Sequence, residues 1–352
     1  MKKFITSIML AASIAAFAQV EDPELMIIHY KDGSKTAVDI TNADHIEFAR
    51  KDNTDIPDVP STDPKVGDYF YSDGTWSDGG LISIDPDGQN AVWAANKPAP
   101  LEGKTVIGIV FCTDPDRMAE SEKEAGFTHG YVIGCKNITD PKKKNYAQYP
   151  ESVWFASQYA TDKELWQVNQ VSKTLSSCYN NLAGYDDTKN LLDKNDPEFY
   201  YDDIPMVWYG TSAYPVAAPA NTSGWFIPSV GQMWDCVANF CGGEVATDYL
   251  KPNRTSTKNI YDYTEYKKLS ASPLEQFMKV FELVPDADKD DVTIPDNGSL
   301  DAKNAYIELG TATRYDDESR VVINLGMDGY KYIEIIPAWY NEESHARPIL
   351  AF

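Results

Sequence analysis

Two groups of residues in this chain have the composition for recognition chemistry. The first is Asp286-Ala-Asp-Lys-Asp290, in which Asp286, Asp288 and Asp290 alternate as the oxygen ligands of a calcium loop do. Asp291 stands where such a loop needs glycine, and Asn297 where it closes on glutamate. The pattern therefore predicts a solvated acidic loop with, at most, weak calcium binding. The second group is aromatic and sits beside turns and prolines: Trp208, Tyr209, Tyr214, Tyr315, Trp339 and Tyr340. At loop positions such rings stack on sugars or anchor a protein partner. The same side chains also fill cores, so the pattern makes them candidates for ligand binding and no more.

Catalytic constellations are harder to find. Pro228-Ser229-Val230-Gly231 resembles part of a nucleophile turn, but Ile227 occupies the position of the first glycine. Ser229 reads better as a helix cap. The histidines, His29, His45, His129 and His345, share no spacing that would bring two of them to one metal. Five cysteines (Cys112, Cys135, Cys178, Cys236 and Cys241) are an odd set without tight spacing, which is no disulfide framework and no zinc site, although one bridge is open. The residues point to a non-enzymatic protein with no cofactor.

The elements that must position these residues give an α+β pattern. Thr105–Cys112 is a continuous apolar run and predicts a fully buried strand. His129–Ile133 predicts another. Asp73-Gly74 and Asp328-Gly329 mark hairpins, the latter after the alternating Val321, Ile323 and Leu325 and before a strand over Tyr330–Ile336. Apolar spacing predicts helices over Asp162–Tyr179 and Thr188–Leu192. Two capping boxes, Ser229-Val-Gly-Gln232 and Ser272-Pro-Leu-Glu275, start two more. The closing Arg347–Phe352 is strand-like and apolar, which predicts a last strand buried in the sheet that the first strands begin.

Along the chain the segments differ in character. Lys2 and Lys3, an apolar run to Phe17 and the small residues of Ala16-Phe17-Ala18 make 1–18 a secretory signal peptide, with no cysteine after it for a lipid anchor. Residues 19–49 form a small β-hairpin unit: Leu25–Tyr30, a turn at Asp32-Gly33, Thr36–Ile40 and a third short strand at His45–Phe48. Residues 50–65 are an acidic, proline-rich linker, and 66–352 the main domain. With 31 Lys+Arg against 54 Asp+Glu the net charge is −23, which repels nucleic acid and anionic lipid. No later apolar stretch is long enough to span a bilayer. The expected location is extracellular or at the cell surface.

Five segments, in order, carry a family resemblance: GDYFYSDGTWS at Gly67–Ser77, KTVIGIVF at Lys104–Phe111, HGYVIG at His129–Gly134, GWFIPSVGQMW at Gly224–Trp234, and the closing ARPILAF. Together they resemble the C-type-lectin-like domain of exported Bacteroides-type surface proteins, related to fimbrial tip and adhesin subunits. The resemblance implies an α+β domain whose first and last strands pair. It also implies display outside the cell and a glycan or protein ligand. The alternative is a structural surface or pilus subunit, joined to other subunits by strand addition from the N-terminal hairpin. The Glu-Pro-Asn, Gln-Pro-Asp and Trp-Asn-Asp motifs of calcium-dependent lectins do not occur in the chain. Gly310–Asp317 also departs from the family's usual Trp-Ser-Ser/Thr turn.

Overall fold

The apolar run at 105–112 forms the centre of the main sheet. In the computed structural model, which describes residues 25–29, 35–39, 63–138, 153–154, 171–194, 211, 214–262, 268–290, 306–326, 331–339 and 343–352, Val106–Cys112 is a strand buried along its whole length. The chain divides into two units, Met1–Asp58 and Val59–Phe352. In the first, β1 (Leu25–His29) and β2 (Lys35–Asp39) pair antiparallel, with Ile27 opposite Ala37. The Asp32-Gly33 turn, the segment His45–Phe48 and the N-terminal apolar run lie outside the described residues.

The second unit holds a five-stranded sheet. Its strands are β3 (Tyr69–Tyr71), β4 (Trp76–Ser77), β7 (Val106–Cys112), β8 (Tyr131–Gly134) and β14 (Ile349–Ala351), in the order β14-β8-β7-β3-β4. Every pairing is antiparallel, with Ile109 opposite both Tyr69 and Ile133, and Val132 opposite Leu350. Alternation sends Tyr69, Tyr71, Ile109, Tyr131, Ile133 and Ile349 into the larger core, and Phe70, Val110, Val132 and Leu350 into a smaller one on the other face. Gly108 is required where β7 and β8 approach: a Cβ there would lie 2.3 Å from Val132 Cγ1 and 2.6 Å from the Ile133 carbonyl oxygen.

The expected pairing of first and last strands is corrected. β3 and β14 share the sheet, but β7 and β8 lie between them. These two are apolar on both faces and take the central positions, where both edges are hydrogen-bonded. The ends still meet through side chains, since Phe70 and Phe352 project to the same face with ring centroids 4.8 Å apart. The outer edge of β14 is covered by the segment before the capping box. Phe226 and Ile349 exchange hydrogen bonds of 2.8 and 2.9 Å, and Ser223 N–H donates to the Ala351 carbonyl at 2.9 Å.

Two short antiparallel pairs accompany these elements, β5 (Leu81–Ser83) with β6 (Val92–Trp93), and β9 (Val153–Trp154) with the distant β13 (Glu343–Ser344). A three-stranded antiparallel sheet, β10 (Tyr306–Arg314), β11 (Ser319–Gly326) and β12 (Ile333–Trp339), follows. β11 is buried from Arg320 onward on both faces, so Val321, Ile323 and Leu325 belong to a central strand and not to a half-exposed one. The Asp328-Gly329 turn lies outside the described residues.

Helices α1 (Glu120–Glu124), α2 (Leu175–Tyr179), α3 (Gly184–Lys194), α4 (Val230–Cys241) and α5 (Pro273–Lys279) complete the unit. α4 starts as its sequence requires: Ser229 Oγ accepts from Gln232 N–H at 3.3 Å, and Gln232 Oε1 accepts from Ser229 N–H at 2.9 Å. Gly242 ends it at φ 57°. α5 has Pro273 in its first turn and the Ser272 hydroxyl accepting from Glu275 N–H at 3.2 Å. The helix expected from Asp162 is corrected where the structure describes it. Thr174 is an N-cap, and residues 171–174 are extended, held by Ser172 N–H to the Arg314 carbonyl and Ile260 N–H to the Lys173 carbonyl, 2.9 Å each. Residues 162–170 lie outside the described ones. All five cysteines are buried free thiols. Among the described residues no helix is long and apolar enough to cross a membrane.

Candidate functional site

The turn between β10 and β11 lines a cleft in the structure. Three segments are clipped together there by main-chain bonds. Val171 bridges to Arg314 and Thr174 to Asn259, and Leu175 N–H donates to the Lys258 carbonyl at 3.1 Å. Asn259 then fixes two tyrosines with one oxygen. Its Oδ1 accepts from the Tyr315 hydroxyl at 3.1 Å and from Tyr261 N–H at 2.9 Å. The two rings stack with centroids 6.4 Å apart at 24°. Tyr315 is buried by this arrangement, whereas Tyr261 is 70% exposed. The inner ring thus backs an outer one whose other face is exposed.

Beside the platform lies a cleft of about 400 Å³ lined by Val171, Lys173, Arg314, Tyr315, Asp316, Asp317 and Glu318. Its polar groups are placed by the turn itself. Burial opposes ionisation of Asp316, but the Glu318 N–H at 2.9 Å, the Ser319 hydroxyl at 2.7 Å and nearby Lys173 outweigh it and hold the carboxyl below the ordinary carboxylate range. The Arg314 side chain donates to the Asp316 carbonyl at 3.0 Å and pairs with Asp317. Lys173 Nζ lies 5.5 Å from the centre of the Tyr315 ring. Ser319, which closes the turn, is opposite Trp339 in the β11–β12 register, and Trp339 is 56% exposed. One end of the three-stranded sheet therefore carries Tyr315, the exposed Trp339 and, across the clip, Tyr261. Among the described residues no histidine or cysteine lines the cleft. Its lining places carboxylates and cations beside the Tyr315 ring.

The other sequence candidates lie elsewhere. Tyr214 is a core residue: its hydroxyl donates to the Lys136 carbonyl at 2.8 Å, and its ring meets Trp225 edge-on at 5.2 Å. It cannot stack on a ligand in this arrangement. Trp208, Tyr209 and Tyr340 lie outside the described residues. In the acidic loop, Asp286 pairs with Lys289 at 3.3 Å, and Asp290 turns inward so that its Oδ2 accepts from Asn137 N–H at 2.9 Å. Among the described residues no group of three or more His, Cys, Asp or Glu side chains is arranged to hold a metal ion. Tyr261 was missed by the sequence reading. Its signal was the run Tyr261-Asp-Tyr-Thr-Glu-Tyr266, which alternates rings with polar residues.

Two buried polar knots stabilise the scaffold. Glu122 Oε2 accepts from the Tyr131 hydroxyl and, at 3.0 Å, from Ala119 N–H, while Oε1 accepts from Gln232 at 3.3 Å. Burial lifts its pKa to about 7 despite these bonds. Asp235, on α4, accepts from Gln89 and from Arg117, the latter at 2.7 Å. Burial raises Asp235 to about 6 against the pull of Arg117. Sequence spacing does not reveal either knot, because its members lie far apart in the chain.

No protein-family model and no curated protein matches the chain. A crystal structure of a fimbrial protein from Bacteroides ovatus superposes with 93% of this chain and 57% of its own, at a TM-score of 0.39 and 13% sequence identity. The chain thus spans little more than half the length of that protein.

Proposed function

We propose that this chain is an exported, surface-located binding protein of adhesin type, and that the cleft lined by Tyr315 and Asp316–Glu318, with the exposed Tyr261 ring beside it, takes a glycan. The observation that carries this reading is the exposed Tyr261 ring stacked on a buried partner beside a polar cleft of about 400 Å³. A sugar ring offers a C–H face to such a platform and equatorial hydroxyls to Asp316, Asp317 and Glu318. The leader-like N-terminus and the acidic composition support export and argue against nucleic acid as the partner. The test is a glycan array probed with the chain from Gln19 onward, beside its Tyr261→Ala variant. Binding by the first and its loss in the second supports the reading. Binding undiminished in the variant removes the cleft from it.

A second reading, a fimbria-associated structural subunit, is favoured by β1–β2. Among the described residues this hairpin pairs with no third strand, and two-stranded hairpins are marginal alone. Strand addition to a neighbouring subunit would extend such a hairpin into a larger sheet. Removing residues 25–65 leaves glycan binding intact on the first reading and abolishes assembly on the second.

A further inference from the structure

The three-stranded sheet aligns a second exposed ring with the site proposed above. Tyr315 N–H donates to the Ser319 carbonyl at 2.9 Å, which sets these two residues opposite each other at the β10–β11 turn. Ser319 is in turn opposite Trp339 in the β11–β12 register. Tyr315, Ser319 and Trp339 therefore form one row across the three strands, and residues in one row project to one face. The core identifies that face. Val321, Ile323 and Leu325 of β11 and Ile333 and Ile335 of β12 pack in the same apolar cluster as Tyr315. Trp339 follows Ile333 and Ile335 at even spacing, so it leaves the sheet on the Tyr315 side. There it is 56% exposed, past the end of that core. Between the two rings stands Ser319, whose small side chain is folded onto Asp316 Oδ1 at 2.7 Å.

Neighbouring strands lie about 4.8 Å apart, so two spacings put the Trp339 main chain about 10 Å from that of Tyr315. The position is well anchored. Arg320 is buried and paired with Glu308 at 3.0 Å, and it donates to the Trp339 carbonyl at 2.6 Å. Pro337 stiffens the strand two residues earlier. A single pyranose cannot touch both Tyr261, stacked on Tyr315, and Trp339 at such a separation, whereas a chain of about three linked units can. In the cleft lining Arg314 is already paired with Asp317, and the carboxylates of Asp316, Asp317 and Glu318 outnumber the cations of Lys173 and Arg314, which disfavours an acidic sugar. We propose that the ligand of this site is a linear, uncharged oligosaccharide of three or more units, with one unit stacked on Tyr261 and another on Trp339. This rests on the glycan reading and adds to it the ligand's length, its charge and a second stacking residue.

The test is calorimetric titration of the chain from Gln19 onward with cello-, xylo-, manno- and chito-oligosaccharides, each from dimer to hexamer. On a ladder that binds, affinity should rise about 10-fold between dimer and tetramer and then level off. In Trp339→Ala the ratio of hexamer to dimer affinity should fall to about 1, and Trp339→Phe, which keeps a ring, should restore most of it. Tyr261→Ala should weaken every length. Urea denaturation of each variant establishes that it is folded. Equal affinity at every length, a ratio unchanged in folded Trp339→Ala, or preference for a hexuronate oligomer over its neutral counterpart overturns this inference and leaves the glycan reading standing. Absence of binding on all four ladders overturns both.

Discussion

Replacing Asp187 by asparagine should stabilise this protein, by an amount that grows with pH. Asp187 lies in the first turns of α3, is buried, and its Oδ2 has no hydrogen-bond partner among the described residues. Burial first, and the neighbouring Asp186 charge second, raise its pKa from 3.8 to about 7. The native state therefore prefers the protonated acid. The stability this group contributes is fully present below pH 3.8 and is lost as pH rises through about 7. Asparagine is neutral at every pH and has nearly the same shape, so the variant avoids that loss. At about 1.36 kcal/mol per pKa unit, the advantage of Asp187→Asn is about 0.5 kcal/mol at about pH 4, about 2 at about pH 5 and about 4 above about pH 8. Contributions from Glu122 and Asp235, also raised by burial, are common to both proteins and cancel in the difference. The assay is urea denaturation of both proteins across that range, read by tryptophan fluorescence, with equal slopes as the check on two-state behaviour. A difference that does not change with pH, or a variant less stable than wild type at the alkaline end, refutes the reasoning that a desolvated carboxyl sits there.

Other expectations are more local. Gly108→Ala puts a methyl against the Ile133 main chain and should cost about 1–3 kcal/mol in the same denaturation assay. Ser229→Ala removes the N-cap of α4 and should cost about 1 kcal/mol, or more because the serine is buried and its hydroxyl also donates to the Asn181 carbonyl at 2.7 Å. Trp339→Ala, at an exposed strand end, should shift stability by less than about 0.5 kcal/mol while weakening any ligand that spans the end of the sheet, as read by titration calorimetry.

Much of the scaffold was legible because it follows local rules. The apolar run at 105–112 could only be a buried strand, and Ser229 with Gln232 announced α4 through the two bonds they later make. The helix at 184–194 was also legible, although the sequence signal covered only its second half. Tertiary choices were not. Val171 fits a helical face in sequence and Thr174 lies within the same expected helix, yet their main chain is taken by Arg314 and Asn259, partners more than eighty residues away. The order of strands likewise depended on which of them needed both edges covered, which periodicity does not encode. For the site, tyrosine was the difficulty, since one side chain serves a core and a wet surface equally well. Tyr214 has its hydroxyl satisfied by the Lys136 main chain and went inside, while Tyr261, which no turn signal singled out, stayed exposed.

The platform claim can be read ring by ring. With carbon-labelled tyrosine, titration with a glycan that the array identifies should shift the ring signals of Tyr261 and Tyr315 together and leave Tyr214 unmoved. Shifts confined to other tyrosines, with Tyr261 silent at saturation, would contradict the account.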